Sequence, residues 1–296
     1  MIEFLQQLLN GVSLGAIYAL IAIGYTMVYG VLRFINFAHS DVFMVGAFIG
    51  YYLGSLLPAG TVWGGALALV GAMAGCALLG MTIERLAYRP LRGAPTLNVL
   101  ITAIGVSLFL ESGGQVFMGA TPRRFPAIFP ERNLAFGKLT LSTDELLVIA
   151  VAAALVIGLQ AMIHRSRLGA AMRAVALNPK AALLMGIDTD RIISLTFGMG
   201  SALAAAGGVL YAVNYPSIDP RMGLMPGLKA FVAAIIGGIG SVPGAAIGGL
   251  ILGIVETFVG GSAWSTDKDA IAFAALILIL LFRPAGILGR SAIEKV

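Results

Sequence analysis

Between residues 4 and 32, and again between 42 and 83, the chain carries no charged side chain. About twenty apolar residues suffice to cross the hydrocarbon core of a bilayer, so the first stretch holds one span and the second holds two. Leu57-Pro58-Ala59-Gly60 divides the second, because proline and glycine break a helix and suit a turn. Further apolar segments follow at 96–118, 146–163, 192–213, 227–240, 245–261 and 270–282. The implied fold is all-α: a polytopic membrane helical bundle of about eight or nine transmembrane segments, in a single domain over residues 1–296. Segment 227–240 is short for a span and reads as a tilted or broken helix lined by protein. Only 11% of residues are charged, against about 25% in soluble domains, which excludes a soluble fold. The thirty-nine glycines permit close helix packing. Those at 11–24 and 244–253 space two helices alike, a weak sign of internal repetition.

Charge orients the bundle. Residues 165–191 hold five of the nineteen Lys and Arg residues, which places that loop in the cytoplasm. With loop 164–191 inside, twelve of the nineteen fall inside, Arg290 and Lys295 among them, and seven outside, including Arg132 and Lys138. The N-terminus is then outside and the C-terminus inside. Loops 119–143 and 214–226, each with three prolines, are external, the first as an irregular loop or short surface helix. The first residues lack a basic region and a cleavage site, so the first segment reads as a retained span.

Within the cytoplasmic loop, Asn178-Pro179 is a helix start signal and Gly186 a stop. Between them runs Ala181-Ala182-Leu183-Leu184-Met185, more apolar than a solvated loop requires. A short greasy helix held between two spans suits docking into a groove on a soluble partner.

Other constellations are sparse. The two histidines are far apart, no His-Glu-x-x-His, Gly-x-Ser-x-Gly or phosphate-binding Gly-x-x-x-x-Gly-Lys sequence occurs, and the single Cys76 excludes an internal disulfide. No basic patch interleaves with aromatics, so nucleic acid is not a partner. Arg33, Asn36, His39, Ser40 and Asp41 form the densest polar cluster near membrane depth. It reads as a hinge or gate between the first two spans, with Arg33 and Asp41 as a pair, or as an interfacial turn. Gly237, Gly238 and Gly240 suit close packing and a tight turn whose backbone borders a path. Glu111 and Glu256 read as carboxylates at outer helix ends, and Lys229 as an interfacial anchor.

Lys180-Ala181-Ala182-x-x-x-Gly186 resembles the Glu-Ala-Ala-x-x-x-Gly loop of permease subunits from ATP-driven bacterial importers. Lys180 stands where that pattern has glutamate, so a salt bridge from the position does not carry over. GVSLGAIYALIAIGYTMVYGVLRFINFAHSD, RPLRGAP, GGIGSVPGAAIGG and FRPAGILG are similar, in that order, to the permeases of branched-chain amino-acid uptake systems, from about residue 11 to 289. The resemblance implies a non-enzymatic permease subunit in the bacterial inner membrane, without a cofactor of its own. Asn178, Lys180, Ala181, Ala182, Met185 and Gly186 would dock an ATPase. The implied partners are a second homologous permease, two cytoplasmic ATPase subunits that bind ATP, a periplasmic substrate-binding protein and the lipid bilayer. Amide or urea importers share these motifs. A self-sufficient carrier or channel is the other alternative, and it should carry paired intramembrane charges.

Overall fold

The computed structural model describes residues 2–130, 133–136, 139–262, 265–283 and 285–289. Arg132, Lys138, Arg290 and Lys295, used above to orient the chain, lie outside them. Among the described residues the apolar helices are α1 (Ile2–Leu32), α2 (His39–Leu56), α3 (Val62–Ile83), α4 (Thr96–Met118) and α5 (Thr143–Arg165). Two short helices, α6 (Arg167–Leu177) and α7 (Pro179–Leu184), separate these from α8 (Thr189–Asn214), α9 (Leu224–Gly237), α10 (Val242–Gly260) and α11 (Lys268–Phe282). Six of them are long and apolar enough to cross a membrane: α1, α3 with its continuation, α4, α5, α8 and α10. The other three apolar helices are α2, which opens on His39 and Asp41, the 14-residue α9 and the 15-residue α11. The chain is thus an all-α polytopic bundle.

Burial sorts the helices. Every residue of α1 from Ser13 to Val28 is buried, so α1 is enclosed on all sides, as a helix that is apolar all round must be. The apolar window of α1 is 94% buried against 17% for both α4 and α5, which leaves those two on the outside of the bundle. Around α1 stand α10, α8, α9 and α5, and α8 in turn packs on α2 and α3. The contact with α10 depends on glycine. A Cβ on Gly11 or Gly15 would lie 2.8 Å from the Cα of Ile254 or Leu250, so only hydrogen fits and the backbones close up. The two glycine-spaced segments of the sequence therefore pack against each other.

Three local features depart from simple helices. After Ile83 the chain widens into one π turn, Glu84–Tyr88, then tightens into a 3-10 turn, Arg89–Leu91, where Pro90 offers no N–H. In place of an irregular loop or surface helix, residues 119–142 contain strands: β1 (Arg123–Arg124), β2 (Asn133–Phe136) and β3 (Leu139–Ser142). β2 and β3 pair antiparallel with Phe136 opposite Leu139, and the apolar residues of both recur at period two. β1 pairs with β4 (Ser217–Ile218), which ties the loop after α4 to the loop after α8 at one end of the bundle. At the opposite end, residues 285–289 lie along the end of α9, where Ile287 N donates to Ile236 O at 2.9 Å and Leu288 N to Gly237 O at 3.0 Å.

Candidate functional site

Loop 164–191 is a chain of locally closed caps. Ser166 accepts from Gly169 N at 2.9 Å to start α6, Asn178 from Ala181 N at 3.0 Å to start α7, and Asp188 from Arg191 N at 3.1 Å to start α8. Each satisfies an N–H that a helix start leaves orphaned. At the far end of α7, Gly186 has φ +82°, Ile187 N returns to Ala182 O at 3.1 Å and Gly186 N to Leu183 O at 3.0 Å. That is a Schellman closure, and glycine takes its left-handed residue without penalty. Helix α7 is therefore bounded where Asn178-Pro179 and Gly186 place it, while α6 escaped the sequence reading.

Of the docking candidates, Ala182 is buried against the bundle; Asn178, Lys180, Ala181, Met185 and Gly186 are exposed. Leu183 is 60% exposed, Leu184 87% and Met185 82%. A capped helix thus holds out a greasy tip of three large side chains. Just inside it, a polar knot joins the ends of α3 and α8. Glu84, wholly buried, takes Arg92 on one oxygen and Ser194 on the other. Asp190, in the first turn of α8, takes Arg89 and Arg92. Tyr88, in the same π turn as Glu84, donates to Asn36 Oδ1 at 2.6 Å.

The Arg33–Asp41 cluster is deeper than an interfacial turn. Arg33, exposed with φ +54°, ends α1, and the chain then runs back inward before α2 begins. Asn36, His39 and Asp41 are buried. His39 stacks on Tyr25 at 4.6 Å and sits against Gly24, which touches Gly200, eleven positions into α8 or about 16 Å along it. Asp41 accepts from Ser107 Oγ at 2.5 Å, and Ser107 is eleven positions from each end of α4. Asp41 thus lies at mid-bundle. Among the described residues Arg33 and Asp41 form no ion pair; serine takes the place of the expected arginine. Gly237, Gly238 and Gly240 lie elsewhere. Ser40 packs on Gly227, while Gly237 is ten positions, about 15 Å, further along α9. There Gly237 meets Gly244, Gly238 (φ +105°) meets Gly289, and Gly240 (φ +93°) turns in open space.

Comparison with known proteins gives these features a context. Residues 7–281 match the family described as branched-chain amino acid transport system, permease component. The chain is 45% identical to the high-affinity branched-chain amino acid transport system permease protein BraD of Pseudomonas aeruginosa, over 99% of this chain and 98% of that one. It is 44% identical to LivH of Escherichia coli K12, the permease protein of a system of the same description, with the same coverage. A probable branched-chain amino acid transport permease of Methanocaldococcus jannaschii is 30% identical, over 91% of this chain and 88% of its own. The chain belongs to this permease family. It is a multi-pass inner-membrane transport subunit, and a permease component implies further components of the transporter.

At the end of the permease bearing β1 and β4, a cleft of about 610 Å³ opens among α1, α8, α9, α10 and α11. Lys229 and Glu256 are both buried there, with Nζ 2.6 Å from Glu256 Oε1 and 2.6 Å from Asp269 Oδ1. Tyr18 donates to Glu256 Oε2 at 2.8 Å. Lys229 is thus buried in an ion pair rather than an interfacial anchor, and Glu256, four positions from the end of α10, is its helix-end partner. No sequence signal announces it, because the three charges come from three helices and Tyr18 is 238 positions from Glu256. Glu111 pairs with Arg221, whose Nε lies 3.1 Å away.

Proposed function

We propose that this permease is the membrane subunit of an ATP-driven importer for branched-chain amino acids, and that α7 is its dock for a cytoplasmic ATPase. The observation carrying this is the α7 tip: Leu183, Leu184 and Met185 in water on a helix closed at both ends. Such a face lowers its free energy by entering a groove. The substrate reading rests on the relatives' names. ATP binding and hydrolysis belong to two partner ATPases, with a second homologous permease and a periplasmic substrate-binding protein completing the assembly.

Motion of the ATPase would reach the bundle through short, stiff links. α7 passes through the Asp188 cap into α8, Asp190 joins α8 to Arg89 and Arg92, and Tyr88 joins that turn to Asn36 below α2. Asn36, His39 and Asp41 then sit where displacement of α2 against α1, α8 and α4 would gate the path. The test is mild-detergent purification of the tagged protein from its native membrane. Recovery of an ATPase and a second permease, both lost when residues 180–186 become a Gly/Ser linker, is the expected result. Recovery of the protein alone, transporting in liposomes without ATP, would sink the proposal.

A further inference from the structure

We propose that the groove between α5 and α10 holds an anionic phospholipid, with an acyl chain along the two helices and the phosphate at Arg165. The site is separate from the Lys229 cleft and from the α7 tip, and it does not depend on which substrate is carried. Polarity, length and charge carry it.

The groove, about 580 Å³, is walled by Val156, Ile157 and Ala161 of α5 and by Val242, Ala246 and Ile247 of α10. Both helices are long and apolar enough to cross a membrane, so the groove lies at membrane depth. An apolar space there suits hydrocarbon; water would need polar partners. Its polarity rises in one direction. On α5 the lining residues recur four apart, 157, 161 and 165 beside 156, 160 and 164, so they form a single face. From Val156 to Arg165 (165 − 156) that face spans about 13.5 Å, close to half of a ~30 Å hydrocarbon core and so about one leaflet deep. It starts in apolar side chains, passes the amide of Gln160 and ends on His164 and Arg165, the order of tail, glycerol region and headgroup.

The charge at that end is uncompensated. No Asp or Glu occurs between residues 146 and 187. Asp188 and Asp190, the next carboxylates along the chain, are taken by Arg191 and by Arg89 and Arg92. On the other wall, the one carboxylate of α10 is Glu256, about 21 Å along the helix from Val242 (256 − 242). Arg165 is exposed and has no acidic partner among the described residues. Arg173 of α6 folds back to donate to Ile163 O, which brings a second guanidinium to the same end of α5. Such donors match phosphate oxygens. A phosphatidylglycerol headgroup leaves its negative charge for them to meet, whereas phosphatidylcholine cancels its own. Basic pockets between membrane helices take anionic headgroups in this way.

The experiment uses the intact transporter, purified in mild detergent and delipidated, and reads the thermal unfolding midpoint with three soluble probes. Dioctanoyl phosphatidylglycerol should raise the midpoint at lower concentration than dioctanoyl phosphatidylcholine, and inorganic phosphate should leave it unchanged. Arg165→Gln should weaken the apparent phosphatidylglycerol affinity about fivefold, while Arg123→Gln, at the end bearing β1, should not. Equal responses to the two lipids, a shift from phosphate as large as from phosphatidylglycerol, or an Arg165→Gln protein that responds like the parent would each overturn the site. A photo-reactive residue at Ala161 tests the occupant in the native membrane, whatever the stability of the Arg165 variant. An adduct of phospholipid mass is expected; an adduct with a second permease or another protein would make the groove a protein interface and overturn the lipid assignment.

Discussion

The two ends of the bundle are built by opposite rules. At the end that carries α6 and α7, loop 164–191 is closed by contacts between residues three to five apart: Ser166, Asn178, Asp188 and Gly186 each settle their own helix terminus. Its apolar side chains are left over, facing water. At the end bearing β1 and β4 the Lys229 cluster is not local. Lys229, Glu256, Asp269 and Tyr18 come from four helices, and each charge is tolerable only because the others are there. A self-capped loop can move as a unit and meet a partner, whereas an interdependent cluster ties its helices together. The polar knot at Glu84 lies between the two styles, non-local in its contacts yet at the end of the bundle that carries α7.

The contrast can be tested by substitution, beginning with the largest effect. Glu84→Ala leaves Arg92 and Ser194 facing an empty buried position. The expected loss is about 3 kcal/mol, the range for breaking one side of a buried ion pair, read as a lower unfolding midpoint and little monodisperse protein. Arg89→Ala, which removes only a half-exposed partner of Asp190, should cost less than about 1 kcal/mol; equal losses would mean the knot is not a buried structure. Gly186→Val forces a β-branched residue into φ +82° and should destabilise α7 by roughly 1–2 kcal/mol, seen as faster amide exchange over residues 179–187 with α1 unaffected. Asn178→Ala should cost about 1 kcal/mol by the same readout. Smallest is Leu184→Ser, expected within about 0.5 kcal/mol of the parent in stability, yet releasing the ATPase on purification. A large stability loss there would show that the tip packs on its own bundle.

What could be read from sequence follows the same division. Spans, turns and the α7 boundaries were legible because hydrophobic length, Pro58, Pro179 and Gly186 act within a few residues. The short protein-lined α9 was legible too, as an apolar run too brief to cross. The Lys229–Glu256–Asp269 cluster was not, since its members lie up to 40 positions apart and each alone looks like a helix-end charge (269 − 229). For Arg33 and Asp41, proximity in sequence suggested a pair, but α2 starts deep in the bundle and carries Asp41 away to Ser107. The strands of residues 119–142 were hidden by the prolines around them. Period-two apolarity in Leu134, Phe136, Leu139 and Leu141 was the signal that could have found them.

The deep start of α2 also constrains how the chain enters the membrane during synthesis. Leaving the translocation machinery, α2 brings His39 and Asp41 to the bilayer centre, where an ionisable group costs a few kcal/mol on insertion scales. Its shelter comes from Ser107 on α4 and from Gly200 and its neighbours on α8, which are made later. Insertion one helix at a time would strand α2 in lipid. The polar start of α2 is therefore covered only once α4 and α8 are in place, which makes these later helices part of what α2 needs in order to sit where it does.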